Sequence, residues 1–164
     1  ELYYDAIIAA VGLGCNVIDT AINYREMKSE RVVRWAIRSL KQRHSNIREK
    51  LIVATKGGFI PGDIASGERP SEYFQNRFVK KGILNKEDVV EGCHSLKPEF
   101  IRECVLMSLE NLGLDYVDIY YIHNPEMQLS EFSVNEFYQN CLPCNTHYPV
   151  TARRNNIPGR HEDG

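Results

Sequence analysis

The chain has 164 residues, of which 43% are hydrophobic and 26% charged, and its 20 Lys and Arg against 22 Asp and Glu give a formal charge of -2. This composition is typical of one soluble globular domain. Near-neutral charge without a basic run provides no cationic field, so we expect neither nucleic acid nor a membrane as a partner. The longest apolar run, Ala6 to Cys15, contains glycines and is shorter than the roughly 20 residues of a spanning helix.

The cysteine pattern favours a reducing compartment. The chain has five cysteines, at positions 15, 93, 104, 141 and 144. An odd number without regular spacing does not indicate a disulfide scaffold, so we expect a cytoplasmic protein. The Cys141-x-x-Cys144 pair, with His147 and His161 nearby, could bind zinc, but a second ligand pair at a recognised spacing is missing. We therefore expect no metal site.

Helices and strands alternate along the first part of the chain. They are predicted at 2–13 (helix), 16–20 (strand), 29–44 (helix) and 51–56 (strand). Gly14 suits the C-cap of the first helix, and Ser29 suits the N-cap of the second. The run Leu51–Lys56 is β-rich, apolar and stopped by two glycines, which is typical of a strand buried on both sides.

A third helix–strand pair follows a long polar insertion over 59–96. Pro98 suits a first helical turn, Gly113 ends that helix, and Tyr116–His123 reads as a strand. The alternation predicts an α/β fold with a parallel sheet. The insertion exceeds an ordinary connection, and a short helix is predicted over 71–81. Two interpretations are equally open: a loop that covers a substrate site, or a solvated excursion without catalytic consequence.

Three ionisable residues close the three predicted strands: Asp19, Lys56 and His123. Ligand sites of parallel α/β folds lie at the carboxyl ends of the strands, because the connecting loops converge there. The period of two along a strand allows all three side chains to point toward one mouth. The alternatives are a helix-capping Asp19, a solvated Lys56 and a satisfied, half-buried His123.

Several strings around these residues are similar to the aldo-keto reductase family. They are DTAINYR around Asp19 and Tyr24, ATKGG around Lys56, and SLENLGLDYVDIYYIHNPE leading to His123. The resemblance covers residues 1–128 and implies a partial (β/α)8 TIM barrel, with strands two to four and their helices. The segment 129–164 does not match and is expected to be an irregular tail. We expect a truncated barrel whose exposed edges make the chain marginally stable or self-associating.

The resemblance implies an oxidoreductase that reduces aldehydes or ketones with NADPH. It implies a catalytic tetrad of Asp19, Tyr24, Lys56 and His123, with Asp19 also binding the cofactor and Tyr24 and His123 binding the small carbonyl substrate. The residue types agree with such roles. Negative charge develops on the carbonyl oxygen, so a proton donor must face it; a phenol can donate, and a neighbouring ammonium stabilises the phenolate that remains. A carboxylate would keep that ammonium charged and oriented.

Other functions stay open at this level. Tyr24 could instead pack against the following helix with its hydroxyl at the surface. The same barrel could serve as a non-catalytic interaction or scaffold protein, since fold does not determine activity. Lys56 could also be a Schiff-base nucleophile, as in barrel aldolases, with Asp19 and Tyr24 transferring protons.

Overall fold

The structure, a computed structural model, describes residues 2–139, which contain α-helices and three strands. In chain order these are α1 Leu2–Gly12, β1 Val17–Asp19, α2 Lys28–Arg43, α3 Ile47–Lys50, β2 Ile52–Gly57, α4 Pro70–Phe74, α5 Pro98–Leu112 and β3 Ile119–Ile122. The alternation of helices and strands that the sequence predicts is therefore present.

The three strands form one parallel sheet in the order β1-β2-β3. In its register, Asp19 of β1 lies opposite Ala54, and Lys56 of β2 lies opposite Tyr121. Parallel neighbours joined through helices are the unit of α/β folds, so the predicted fold class is confirmed. β3 is shorter than predicted at its amino end, where the Asp118 carboxylate accepts the hydrogen bond from Val53 N–H just before the strand begins.

The helices cover one face of the sheet and leave the other open. On the covered side Ile18 and Val53 pack with Val33, Ile37 and Leu112 of α2 and α5. The uncovered face carries side chains that are still substantially exposed: Val17 at 50%, Ile52 at 38%, Ile119 at 37% and Tyr121 at 48%. Within residues 2–139 the outer edges of β1 and β3 pair with no further strand. This architecture is that of a barrel segment, in which the helices lie on the outside and the uncovered face of the sheet is the inner face.

The start of α2 differs from the prediction. The sequence predicts Ser29 at the N-cap, but the helix begins at Lys28 with Met27 at the cap, so Ser29 lies in the first turn. Three consecutive residues before it, Arg25 to Met27, have positive φ angles of 52°, 52° and 65°. They reverse the chain tightly enough to start the helix early, and the hydroxyl of Ser29 instead accepts a hydrogen bond from Thr20 at 3.0 Å.

The boundaries of α5 are those that the sequence predicts. Pro98 occupies the first turn, where its missing N–H has no helical partner to lose. Gly113 ends the helix in the left-handed region, with a φ of 62°. The buried side of α5 includes Phe100, Ile101 and Cys104.

The segment 59–96 is not a solvated excursion, because it supplies part of the core. It contains α4, a π-helix at Gln75–Val79 and short 3-10 helices at Ile64–Ser66 and Lys86–Asp88, so helical structure covers most of the predicted 71–81 helix. Phe78 and Leu84 are fully buried and pack with Phe100 of α5. Burial of such side chains contributes roughly 1.5–3 kcal/mol each, which explains why the segment is folded onto α5.

The described part of the predicted tail, residues 129–139, is partly helical. Pro125–Ser130 is a 3-10 helix, residues 134–139 form a further helical turn, and Phe137 packs against the core. The Cys141-x-x-Cys144 motif lies outside the described residues. None of the helices within 2–139 combines the length and hydrophobicity that a bilayer crossing requires. The same residues hold no cluster of His, Cys, Asp and Glu arranged to bind a metal.

Candidate functional site

Lys56 lies at the carboxyl end of β2 and bridges to the end of β1. Its ammonium donates to Asp19 Oδ2 at 2.7 Å and to the carbonyl oxygen of Thr20 at 2.8 Å. The Lys56 side chain is only 15% exposed, whereas that of Asp19 is 53% exposed. The ion pair and the carbonyl contact together compensate for the desolvation of the ammonium. Both residues lie in adjacent strands of a parallel sheet, which is why their ends meet.

Tyr24 reaches the same point from the turn that follows β1. Its ring centre lies 5.1 Å from the Lys56 ammonium nitrogen. The turn is held by the hydrogen bond from Tyr24 N–H to the Ala21 carbonyl and by Met27, whose side chain is buried. Tyr24 is itself exposed, so its ring borders the open face of the sheet while remaining beside the ammonium.

His123 completes the cluster from the end of β3. The backbone N–H of His123 donates to the Gly57 carbonyl at 2.8 Å. The ring of His123 packs edge to face against that of Tyr24, with ring centroids 5.6 Å apart. Burial lowers the pKa of His123, and the nearby Lys56 charge lowers it further. Within the described residues, its buried Nδ1 has no hydrogen-bond partner.

The four residues that the sequence singled out are therefore brought together at one edge of the sheet. Asp19, Lys56 and His123 come from the ends of β1, β2 and β3, and Tyr24 comes from the adjoining turn. The Asp19 carboxylate holds the Lys56 ammonium beside the Tyr24 phenol, which can act as a proton donor. The His123 imidazole lies on another side of that phenol. Such an arrangement can stabilise negative charge on an oxygen and protonate it.

Two residues that the sequence did not single out also contact His123. The ring of Phe59 lies edge to face with that of His123 at 4.9 Å, and the Nε2 atom of His94 lies 2.7 Å from the His123 carbonyl oxygen. Both belong to the segment 59–96. Only its length, which suggested a covering loop, hinted at a role; neither residue lies in a periodic pattern that would predict its position.

A second polar network lies on the covered face, directly behind Lys56. Glu30 of α2 is fully buried, and its carboxylate accepts hydrogen bonds from Thr55 at 2.7 Å and from Asn111 at 2.9 Å. Burial raises the pKa of Glu30, although these hydrogen bonds oppose the shift. Consecutive residues of β2 point to opposite faces, so Thr55 joins the helices while Lys56 joins the site.

The fold and the site together define a barrel-type α/β protein with polar groups gathered at its strand ends. Comparison with protein families gives the next step. The aldo/keto reductase family model matches residues 1–146, and the chain belongs to that family. The resemblance inferred from the strings around Tyr24, Lys56 and His123 is therefore confirmed.

Individual relatives agree with this assignment. The chain is 35% identical over 124 residues to the NADH-specific methylglyoxal reductase of Escherichia coli (strain K12), covering 75% of this chain and 31% of that protein. It is 38% identical over 89 residues to aldo-keto reductase family 1 member C1 of Macaca fuscata fuscata, covering 48% and 28% respectively. The chain thus spans about a third of the length of these curated relatives.

A solved structure supports the fold. An aldo-keto reductase from Bacillus halodurans, in its holo form, matches with a TM-score of 0.50 and 22% sequence identity over 85% of this chain and 37% of that one. At this identity the similarity concerns the fold. It agrees with a partial barrel built from a three-stranded parallel sheet.

Proposed function

We propose that the protein reduces the carbonyl group of a small aldehyde or ketone, with NADPH as the reductant. The observation that carries the proposal is the position of the Lys56 ammonium, which is 2.7 Å from Asp19 and 5.1 Å from the centre of the Tyr24 ring. A phenol beside a fixed positive charge is a suitable donor to an oxygen that gains negative charge. Membership of the family supports this reaction class.

Each residue of the site has a separate role in the proposal. Tyr24 donates its hydroxyl proton to the carbonyl oxygen as the alcohol forms. Lys56 stabilises the phenolate that forms when Tyr24 loses this proton, and Asp19 holds Lys56 charged and oriented. His123 donates a hydrogen bond to the same oxygen and orients the substrate, which the partial burial of His123 and the edge-to-face packing of its ring against Tyr24 support.

The residues present fit the reactive end of a nicotinamide cofactor. The Asp19 carboxylate is half-exposed at the end of β1, so it can accept a hydrogen bond from a donor group of the cofactor. When bound, the reduced nicotinamide supplies a hydride to the carbonyl carbon. The Escherichia coli relative is named as NADH-specific. NADH is therefore the comparison against which NADPH has to be measured.

Two alternatives are not favoured by the site. A Schiff-base lysine attacks with a free amine nitrogen, whereas the Lys56 nitrogen is engaged by Asp19 and the Thr20 carbonyl. A purely structural barrel relative would need neither this ion pair nor a phenol beside it. A cytoplasmic location and self-association through the exposed barrel edges belong to the proposal, the latter supported by the unpaired outer edges of β1 and β3 within residues 2–139.

The proposal is tested by cofactor titration and by removal of the Tyr24 hydroxyl. NADPH fluorescence should change saturably on addition of the chain, and methylglyoxal and simple aldehydes should be reduced. Tyr24→Phe should lower kcat at least about a hundredfold and leave the Kd for NADPH unchanged, because proton transfer contributes 10²- to 10⁴-fold. Tyr116→Phe is the matched control: Tyr116 stacks on Arg48 just before β3, at the opposite end of that strand from His123, and removal of its hydroxyl should not affect kcat.

Two results would reject the proposal. One is the absence of both saturable cofactor binding and carbonyl-dependent NADPH oxidation by the folded chain. The other is a kcat of Tyr24→Phe that equals that of Tyr116→Phe, since the phenol would then have no part in the reaction.

A further inference from the structure

His94 is a fully buried histidine of the segment 59–96, and both of its ring nitrogens are engaged. Nε2 lies 2.7 Å from the carbonyl oxygen of His123, and Nδ1 lies 2.8 Å from Nε2 of Gln128, which is itself buried. His94 therefore connects three separate parts of the chain: the segment 59–96, the end of β3 and the 3-10 helix Pro125–Ser130.

The chemistry of these contacts determines which nitrogen carries the proton. A carbonyl oxygen can only accept, so Nε2 of His94 must donate to His123. Burial lowers the pKa of His94 and favours the neutral ring, which has a single N–H. Nδ1 is then an acceptor, and the Gln128 amide donates to it. The neutral Nε2–H tautomer satisfies every polar atom of this contact.

The result of this contact is that both backbone polar groups of His123 are anchored. Its N–H donates to Gly57 of β2, and its carbonyl accepts from His94. The next residue, Asn124, has a φ of 46°, so the chain turns sharply at this point. Hydrogen bonds to two separate segments therefore hold the backbone from which the His123 ring extends.

Close packing around this contact leaves little freedom. Gly58 has a φ of 131°, and a Cβ at this position would lie 2.7 Å from His94 Nε2 and 3.2 Å from the His123 carbonyl oxygen. Phe59 packs edge to face on both histidine rings, at 5.1 Å and 4.9 Å. The absence of a side chain at Gly58 is what allows His94 to approach the His123 backbone.

We propose that His94 is a positioning residue of the active site: it holds the His123 ring toward the substrate by donating Nε2–H to the His123 carbonyl oxygen. This inference rests on the proposed function for its kinetic consequence, but its geometric content stands apart from turnover. It assigns the segment 59–96 a part in the site through a buried hydrogen bond rather than through direct contact with substrate.

The kinetic test uses two substitutions of similar size. His94→Leu removes the donor, and His94→Gln keeps an amide N–H where Nε2 was. In the full chain, kcat should fall about tenfold to a hundredfold in His94→Leu, with the Kd for NADPH unchanged, because small displacements of a catalytic group have effects of this size. His94→Gln should stay within about threefold of the unmodified chain. Equal losses in the two variants would overturn the proposal.

A double-mutant comparison separates positioning from general stability. If His94 acts through His123, then His94→Leu should change kcat less than twofold in a His123→Ala background. A loss there as large as in the unmodified background contradicts the proposal, since His94 would then affect turnover by another route.

An NMR measurement tests the geometry without any turnover. In chain labelled with ¹⁵N-histidine, the His94 proton should be on Nε2, and the ring signals of His123 should shift in His94→Leu but remain in place in His94→Gln. A proton on Nδ1, or His123 signals that are the same in both variants, would overturn the proposal. The tautomer is read in the unmodified chain, so the test holds even where His94→Leu does not fold. Absence of carbonyl reduction with the expected NMR result would reject the proposed function alone.

Discussion

The hydroxyl of Thr55 donates a 2.7 Å hydrogen bond to the buried carboxylate of Glu30, while the next residue of the same strand, Lys56, pairs with Asp19 on the opposite face. One strand thereby connects the helical layer to the candidate site. The carboxylate of Glu30 also accepts from Asn111 of α5, so α2, α5 and β2 meet at this one group.

Replacing Thr55 by valine should expose the importance of this hydrogen bond. Thr55→Val keeps the shape of the side chain but leaves one oxygen of Glu30 without its donor, which should lower the free energy of unfolding by about 1–3 kcal/mol. The hydrogen bond from Thr55 lowers the pKa of Glu30, so its loss raises that pKa further. The destabilisation should therefore be larger at pH 8 than at pH 5, because losing the hydrogen bond makes deprotonation of Glu30 less favourable in the folded chain.

Thr55→Ser provides the control, because it keeps the hydroxyl and removes only a methyl group. Urea unfolding of both variants at the two pH values measures the effect. If valine and serine were equally destabilising, with the same pH dependence, then the hydrogen bond to Glu30 would have no measurable role.

Substitution of Gly57 should destabilise β2 through steric overlap. A Cβ at Gly57 would fall well inside van der Waals contact with the Tyr120 hydroxyl oxygen and would lie 3.1 Å from Cys104 Cβ. Since Cys104 is fully buried, Gly57→Ala should lower the free energy of unfolding by about 1–3 kcal/mol. Adding Tyr120→Phe should recover part of the loss, because it removes the closest atom.

Gly12 is a suitable comparison for this steric prediction. A Cβ there meets no atom within 4 Å. Gly12→Ala should leave stability unchanged or raise it by up to about 1 kcal/mol, since alanine is the better helix former. Thermal unfolding followed by circular dichroism compares the two glycines, and an equal effect at both would contradict the steric explanation.

Stability should fall as the solution is acidified below the ordinary histidine pKa. Burial lowers the pKa values of His94 and His123, so the unfolded chain binds more protons than the folded one between about pH 6.5 and the lowered values. The contribution of these histidines to the free energy of unfolding is fully present above their pKa in the unfolded chain. It is lost as the pH falls through their pKa in the folded chain. Each histidine contributes a slope of at most about 1.4 kcal/mol per pH unit.

His94→Gln should make this slope shallower, because glutamine does not titrate. The raised pKa of Glu30 acts in the opposite sense, lowering stability as the pH rises above the ordinary carboxyl value, but it is the same in both proteins. The difference in the free energy of unfolding between the unmodified chain and His94→Gln, measured with urea between pH 5 and 7, therefore reports on His94. Parallel stability curves for the two proteins would show that His94 titrates as it does when unfolded.

Local chemistry in the sequence was enough to predict several elements. Pro98 and Gly113 mark the ends of α5 because a missing N–H and a tolerated positive φ are properties of the residues themselves. The prediction for Ser29 was wrong, because the left-handed turn at Arg25 to Met27 decides where α2 begins. That turn is stabilised by the burial of Met27, a tertiary effect.

The sequence by itself determined the order of helices and strands along the chain and the residues that end the strands, since hydrophobic periodicity and strand-end position are local patterns. It thereby selected Asp19, Lys56 and His123, and the strings around them. Only the tertiary structure brought His94 beneath His123 and Thr55 against Glu30. Hydrogen bonds between segments distant along the chain depend on how helices and loops pack on the sheet, and no local pattern carries that information.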